Sequence, residues 1–396
     1  MKKILNRKCP ICGKNKGEIL YNISMKLPKT YIIQGEYDIV ACEECGFIYA
    51  DVKCKQEKYN EYYKNCNMYS NIFEVKKEVY NNIRDYKVEF IVKYINKNDK
   101  ILDMGCGSGD LLKELKKKGF NNLYAIDPSE KSIQSLAMEG ISGRVGNIFD
   151  EIPLELQNKF DVVCCTGVME HLYDVGQAVS NLMKYMNHKK GKLFVEVPAV
   201  EGFEKYVAEI PNYFNHEHIN YFSIRSLDNL FALNKLVKMN DIEDCYFVYN
   251  VENDIKEMVI RGLYGFCEEN SNYEKDILSI ESVKRYFKKI NQECNSKFKM
   301  IREIINKEQK IIIWGTGSYA MWLVQQLPEI GENLHCFVDN NKQKQEIELC
   351  GKPVYGPEYL RKFKEKTIIL ICSMQSSREI VNQIEKMKID KEYLIL

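Results

Sequence analysis

No charge of one sign dominates this chain. Its 396 residues carry 57 Lys and Arg against 56 Asp and Glu, a formal net charge of +1. That balance removes the electrostatic reason to expect nucleic acid or an anionic membrane surface as partner. Long apolar runs are missing too: no stretch approaches the roughly 20 residues of a membrane-spanning helix. The opening MKKILNRKCP has too short an apolar core for a secretory signal, so the expectation is a cytoplasmic protein with a small-molecule partner. A disulfide framework is also not indicated. Fifteen cysteines are present, but most stand singly in apolar patterns (Cys164, Cys165, Cys372), where reduced cysteine acts as a small hydrophobe. Histidine is scarce, five in all, yet His216 and His218 flank a single residue. The remaining composition, 45% hydrophobic and 29% charged, is that of a globular chain, and its length suggests two or three domains.

Against that background one stretch organises the chain. In ILDMGCGSGDLL (101–112) an apolar run meets Asp103, then Gly105, Gly107 and Gly109, then a helical pattern. Such a strand, tight turn and helix N-terminus let backbone lie close to a ligand with N–H groups facing it. A second apolar run, LYAID, closes on Asp127, where a carboxylate can accept both hydroxyls of an adenosine ribose. Gly146-Asn147 falls where a third strand would end. FDVVCCTGVMEHL (160–172) reads as a buried fourth strand, residues 175–188 as an amphipathic helix, and GKLFVEVP (191–198) as a fifth strand. A dinucleotide-binding unit would share the glycine turn. The full order of motifs, over about residues 75–235, resembles the class I S-adenosylmethionine-dependent methyltransferases. That resemblance implies that Asp103, Gly105 and Gly107 hold the methionine part, Asp127 the ribose, and Asn147 the region of the adenine. The family more often has an acid at the last position.

Four cysteines form a separate pattern. Cys9-Pro10-Ile11-Cys12 and Cys42-Glu43-Glu44-Cys45 are paired CxxC turns, the spacing that brings four thiolates onto one tetrahedral zinc. Four protein ligands leave no open position, so the zinc would be structural. Tyr59, Tyr62, Tyr63 and Tyr69 follow; most read as one face of a helix packing on the next domain, while Tyr69 stands where a segment could close over the cofactor. YFNHEHINYFS (213–223) holds His216, Glu217 and His218. On an extended loop residues 216 and 218 point one way and 217 the other, so one imidazole can act as general base while a neighbour orients the substrate.

The zinc-type N-terminus, the Tyr–Ser segment, HEHxxYFS and a second αβ domain together resemble the NDP-sugar C-methyltransferases. The resemblance implies that His218 removes a proton beside a ketone and that Glu217 and Tyr69 assist substrate binding, with His216 the second candidate base. The chain departs from that family at Asn215, usually tyrosine. Residues 239–309 become charged and helical and read as a connector. KIIIWGTGSYAMWLVQQL (310–327), FVDNN ending near Asp339, and TIILICS (367–373) form a second strand–glycine–helix unit, in which Gly315 and Gly317 could face a nucleotide. The expected architecture is α/β. A zinc-binding module (1–55) precedes a Rossmann-like methyltransferase domain (56–238), a helical connector (239–309) and a C-terminal Rossmann-like domain (310–396). The expected activity is methyl transfer from S-adenosylmethionine to a sugar-related small molecule, first of all a nucleotide-linked (keto)sugar. O- or N-methylation of a glycan building block or other small metabolite is the nearest alternative, and a non-catalytic nucleotide- or cofactor-binding protein is the alternative of another class.

Overall fold

A computed structural model describes residues 4–396 apart from 29–30, 66–85, 202, 207–209, 240–242, 251–254, 269–272, 308, 346, 364–365 and 374–375. The chain opens with β1 (Gly17–Ser24), β2 (Glu36–Cys42) and β3 (Ile48–Asp51), paired antiparallel in that order. Along β2, Tyr37, Ile39 and Ala41 enter one apolar cluster while Val40 and Cys42 enter another. β3 divides the same way, Ile48 and Ala50 against Tyr49. Successive strand residues face opposite sides, so a run apolar at every position belongs to a sheet covered on both faces. The helix Gln56–Asn65 follows.

β4 (Ile101–Met104), β5 (Leu123–Asp127), β6 (Ser142–Val145), β7 (Val162–Thr166) and β8 (Lys192–Pro198) build the parallel part of a central sheet. Their spatial order is β6-β5-β4-β7-β8. The order reverses between β4 and β7, and open α/β sheets have their ligand crevice at that point, beyond the carboxyl ends of the strands. Short β9 (Asn220–Tyr221) leaves this sheet and pairs with β3, Tyr221 opposite Ile48 and Asn220 opposite Tyr49. The N-terminal sheet is thereby completed by the segment that follows HEH.

The connector expected to be helical differs. β10 (Leu236–Lys238), β11 (Glu243–Asn250) and β12 (Ile255–Phe266) extend the central sheet, β12 lying antiparallel on β8 with β10 and β11 on β12. The physical reason is that MVIRGLYGF supplies a strand-length apolar run able to cover the β8 edge. Only then comes the long helix Ile277–Ile305. The last domain is a six-stranded sheet of β13 (Lys310–Trp314), β14 (Leu334–Val338), β15 (Glu348–Leu349), β16 (Lys352–Tyr355), β17 (Thr367–Ile371) and β18 (Glu392–Ile395). Ile311, Ile313 and Leu370 share an apolar cluster with β2, β3 and the long helix; Ile312, Trp314 and Ile369 pack on the far side with Ile380 and Ile384. Among the described residues no helix is long and apolar enough to cross a membrane.

Candidate active site

Glycine geometry at the end of β4 opens the crevice. Gly105 and Gly107 have φ of 76° and 53°, the left-handed region that disfavours side chains. A Cβ on Gly105 would stand 2.6 Å from Val168, whereas the space around Gly107 is open. The Gly107 amide donates to Asp127 Oδ2 at 2.8 Å, and the Ser129 amide donates to Oδ1 at 2.8 Å, fixing the carboxylate at the end of β5. Asp103, Gly105, Gly107, Asp127 and Asn147 all line one cavity of about 860 Å³, within the size range of small-molecule sites. Asp103 is buried and its Oδ1 has no hydrogen-bond partner among the described residues. Burial pushes its carboxyl up to about 7; Lys87 opposes that shift and Asp127 adds to it. A buried carboxylate with an idle oxygen at a cavity wall suits a cationic ligand group, such as the ammonium of S-adenosylmethionine.

Lys87, which the motifs did not single out, lies in the same wall. Its ammonium is held by Glu196 at 2.8 Å and by Thr166 Oγ1 at 3.2 Å, and Arg261 grips the other Glu196 oxygen. Burial would raise the Glu196 carboxyl, but the two cations overcome it and hold it below the usual range. Asn147 is less free than expected. Its amide donates to Asp150 Oδ1 at 2.6 Å and its oxygen accepts from the Phe149 amide, so Asp150 brings an acid to this end of the cavity.

Beside the cavity the helix Gln56–Asn65 and the HEH segment meet. Tyr63 Oη lies 2.8 Å from His171 Nδ1, which is also 3.2 Å from the Glu217 carbonyl oxygen; Tyr62 donates to the Glu217 carboxylate at 2.6 Å. These two tyrosines, read from sequence as packing residues, therefore reach site groups. His171 and Tyr63 line the cavity. The His218 ring sits behind, its centroid 4.7 Å from that of His171. Burial holds the His218 imidazole well below its ordinary pKa, with His171 and His216 adding to the shift. His216 does not share that setting. It packs edge-on against Tyr31, with Nε2 3.9 Å from Glu217, and neither ring nitrogen has a hydrogen-bond partner among the described residues. The HEH segment is a turn and not an extended loop, because Asn215 Oδ1 accepts from the Glu217 and His218 amides, both at 2.9 Å. Tyr69 lies outside the described residues. Glu170 and His171 were missed, although a Glu-His pair inside the buried run VMEHL was a usable signal.

Residues 77–236 match the family model of a methyltransferase domain. The chain is an S-adenosylmethionine-dependent methyltransferase. Residues 307–395 match a second model, described as C2185-like, N-terminal. A ubiquinone biosynthesis O-methyltransferase of Rickettsia typhi is 27% identical over 200 residues, 42% of this chain and 81% of the relative. One from Neisseria meningitidis is 29% identical over 94 residues, 22% and 40% of the two chains. Among solved structures, magnesium protoporphyrin IX methyltransferase from Synechocystis with bound SAH overlaps 52% of this chain and 97% of its own, at 15% identity and a TM-score of 0.39.

Outside its cavity, the methyltransferase gathers Cys9, Cys12, Cys42 and Cys45 with all four sulfurs within 4.8 Å of one another, Cys9–Cys45 and Cys12–Cys42 each at 3.5 Å. Thiolates on one tetrahedral zinc, each about 2.3 Å from the ion, would stand at comparable separations. The group fits such an ion. Arg7, just before Cys9, is buried and donates to the backbone oxygens of Leu172, Tyr173 and Ile219 and to Asn220 Oδ1, tying the cysteine group to the segment after His171 and to the segment after the HEH turn. In the C-terminal domain, Asp339 Oδ2 accepts from the Thr316 amide at 3.0 Å, between Gly315 and Gly317, repeating the arrangement of Asp127 and Gly107.

Proposed function

We propose that the methyltransferase acts on a nucleotide-linked ketosugar and that His218, paired with His171, removes a proton beside the ketone. The observation that carries this reading is the lone-pair-rich group formed where the HEH turn backs the cavity wall: His218 against His171, with Tyr63 on the His171 ring. The sulfonium of the cofactor supplies an activated methyl group with a neutral thioether as leaving group. Asp103 would hold its ammonium, the Gly105–Gly107 turn its methionine backbone, and Asp127 its ribose hydroxyls, with Asn147 and Asp150 near the adenine. Burial keeps His218 neutral and able to accept a proton, which it receives at the His171 side of the wall. The bound cofactor would supply its methyl group to the deprotonated carbon with the thioether as leaving group, while His218 holds the proton it has accepted and passes it to solvent. Glu217, fixed by Tyr62, would orient the acceptor with Tyr69. One structural zinc on Cys9, Cys12, Cys42 and Cys45 completes the reading.

The names of the relatives favour a second reading, O-methylation, in which the same pair takes a hydroxyl proton. Solvent deuterium separates the two. A ketosugar acceptor incubated with enzyme and no methyl donor gains deuterium on carbon, and His218→Ala abolishes that exchange with a loss of about 10²–10⁴ in turnover. Methyl transfer without carbon exchange in the wild type points to oxygen as acceptor. Full turnover in His218→Ala removes the base assignment.

A further inference from the structure

The acceptor end of the cavity is built from the same donors that bind transition metals. Glu170, His171 and His218 each present a ligand atom, and these lie within 4.8 Å of one another; Glu170 Oε1 is 3.9 Å from His171 Nε2. His171 Nδ1 faces the Tyr63 hydroxyl at 2.8 Å and the Glu217 carbonyl oxygen at 3.2 Å; a proton on Nδ1 would serve both, since a hydroxyl can also accept, and that tautomer leaves the Nε2 lone pair for an ion beside Glu170. A carbonyl accepting from the ring N–H that does not face the ion is how metal-ligating histidines are oriented. Glu170 is buried, and His171 has one edge in the cavity. Two imidazoles, one carboxylate and a side open to a cavity form the donor set of a three-ligand zinc site with a free fourth position.

We propose that Glu170, His171 and His218 form a second metal site, for a zinc-class divalent cation and distinct from the cysteine group, and that its occupation blocks methyl transfer. The inhibitory part rests on His218 being the base: the lone pair that accepts the acceptor's proton is the one given to the ion, so ion and proton compete. The metal-binding part does not depend on that reading. In this arrangement the ion's fourth position faces the cavity and is filled by water or by an acceptor oxygen.

The test uses the intact protein with its cysteine group loaded. Zn²⁺ is titrated without substrate, bound metal is counted after gel filtration, and Co²⁺ is used in parallel as an optical probe. A second equivalent is expected, with a cobalt spectrum lacking the sulfur charge-transfer band of a thiolate site. Glu170→Gln and His218→Gln should each weaken it at least tenfold, while the first equivalent and cofactor binding persist. In the unmodified protein, which needs no variant to fold, Zn²⁺ should shield His171 and His218 from diethylpyrocarbonate. Turnover should fall in step with filling of the second site. A single equivalent, a second equivalent retained by both variants, or unshielded histidines would each overturn the metal site, and a filled site with unchanged turnover would overturn its inhibitory role. A protein inactive on every acceptor would still report its metal count, so failure of the functional reading would be seen separately.

Discussion

Asp103 shows how burial sets chemistry at a single residue. Folding raises its carboxyl from the ordinary range near 3.8 to about 7, mainly by burial. The sign follows directly: protonated Asp103 favours the fold, a contribution fully present below the unfolded value and lost as pH rises through about 7. Cofactor binding runs the other way. An ammonium group needs the carboxylate, so affinity for S-adenosylmethionine should rise about tenfold per pH unit below the midpoint. The rise should level off near pH 7.5–8, where an α-amino group begins to lose its own proton. Calorimetry across that interval checks it. Lys87→Met removes the cation that now lowers the Asp103 value and should move the midpoint upward; an affinity flat with pH in both proteins would mean that Asp103 does not meet the ammonium.

The elements around the HEH turn carry the next prediction. Asn215 Oδ1 holds two amides and so fixes the turn that presents His218. Asn215→Ala should cost turnover about 10- to 100-fold through misplacement of the ring while leaving cofactor affinity unchanged. Asn215→Asp, which keeps the accepting oxygen, should restore most of it; equal rates in all three proteins would show that the turn is held by other contacts. This loop also marks the limit of what the sequence could disclose. β4, β5 and the glycine turn were legible because their signals are local: an apolar run, a residue tolerating positive φ, an acid at a strand end. The cysteine grouping was legible because CxxC spacing is itself geometry. The roles of Tyr62 and Tyr63 were not, since they depend on one helix meeting a loop from far along the chain. Nothing local distinguishes such a tyrosine from one that only packs. β11 and β12 were obscured by the strong helical periodicity beginning at Ile277.

In the whole molecule the N-terminal module is not a separate bead. Cys9, Cys42 and Cys45 share an apolar cluster with Leu102, Val163 and Val195 of the central sheet, while the other face of β2 and β3 joins the long helix and the C-terminal sheet. Elemental analysis should therefore find about one tightly held zinc per chain, and Cys45→Ser should lower turnover more than cofactor affinity, because β3 next to the knuckle pairs with the strand that ends the HEH segment. Metal-free protein with full turnover would sever that link. The pairing of β3 with β9 has a further consequence for how the chain is made. The cysteine module leaves the ribosome well ahead of the HEH segment, yet Ala50 and Arg7 wait for Ile219 to supply the oxygen to which both donate. At ordinary speeds of synthesis that wait lasts roughly ten to thirty seconds. During it β3 is an open strand edge beside thiols that can already take up metal, so a sheet begun early is completed only by a segment made much later.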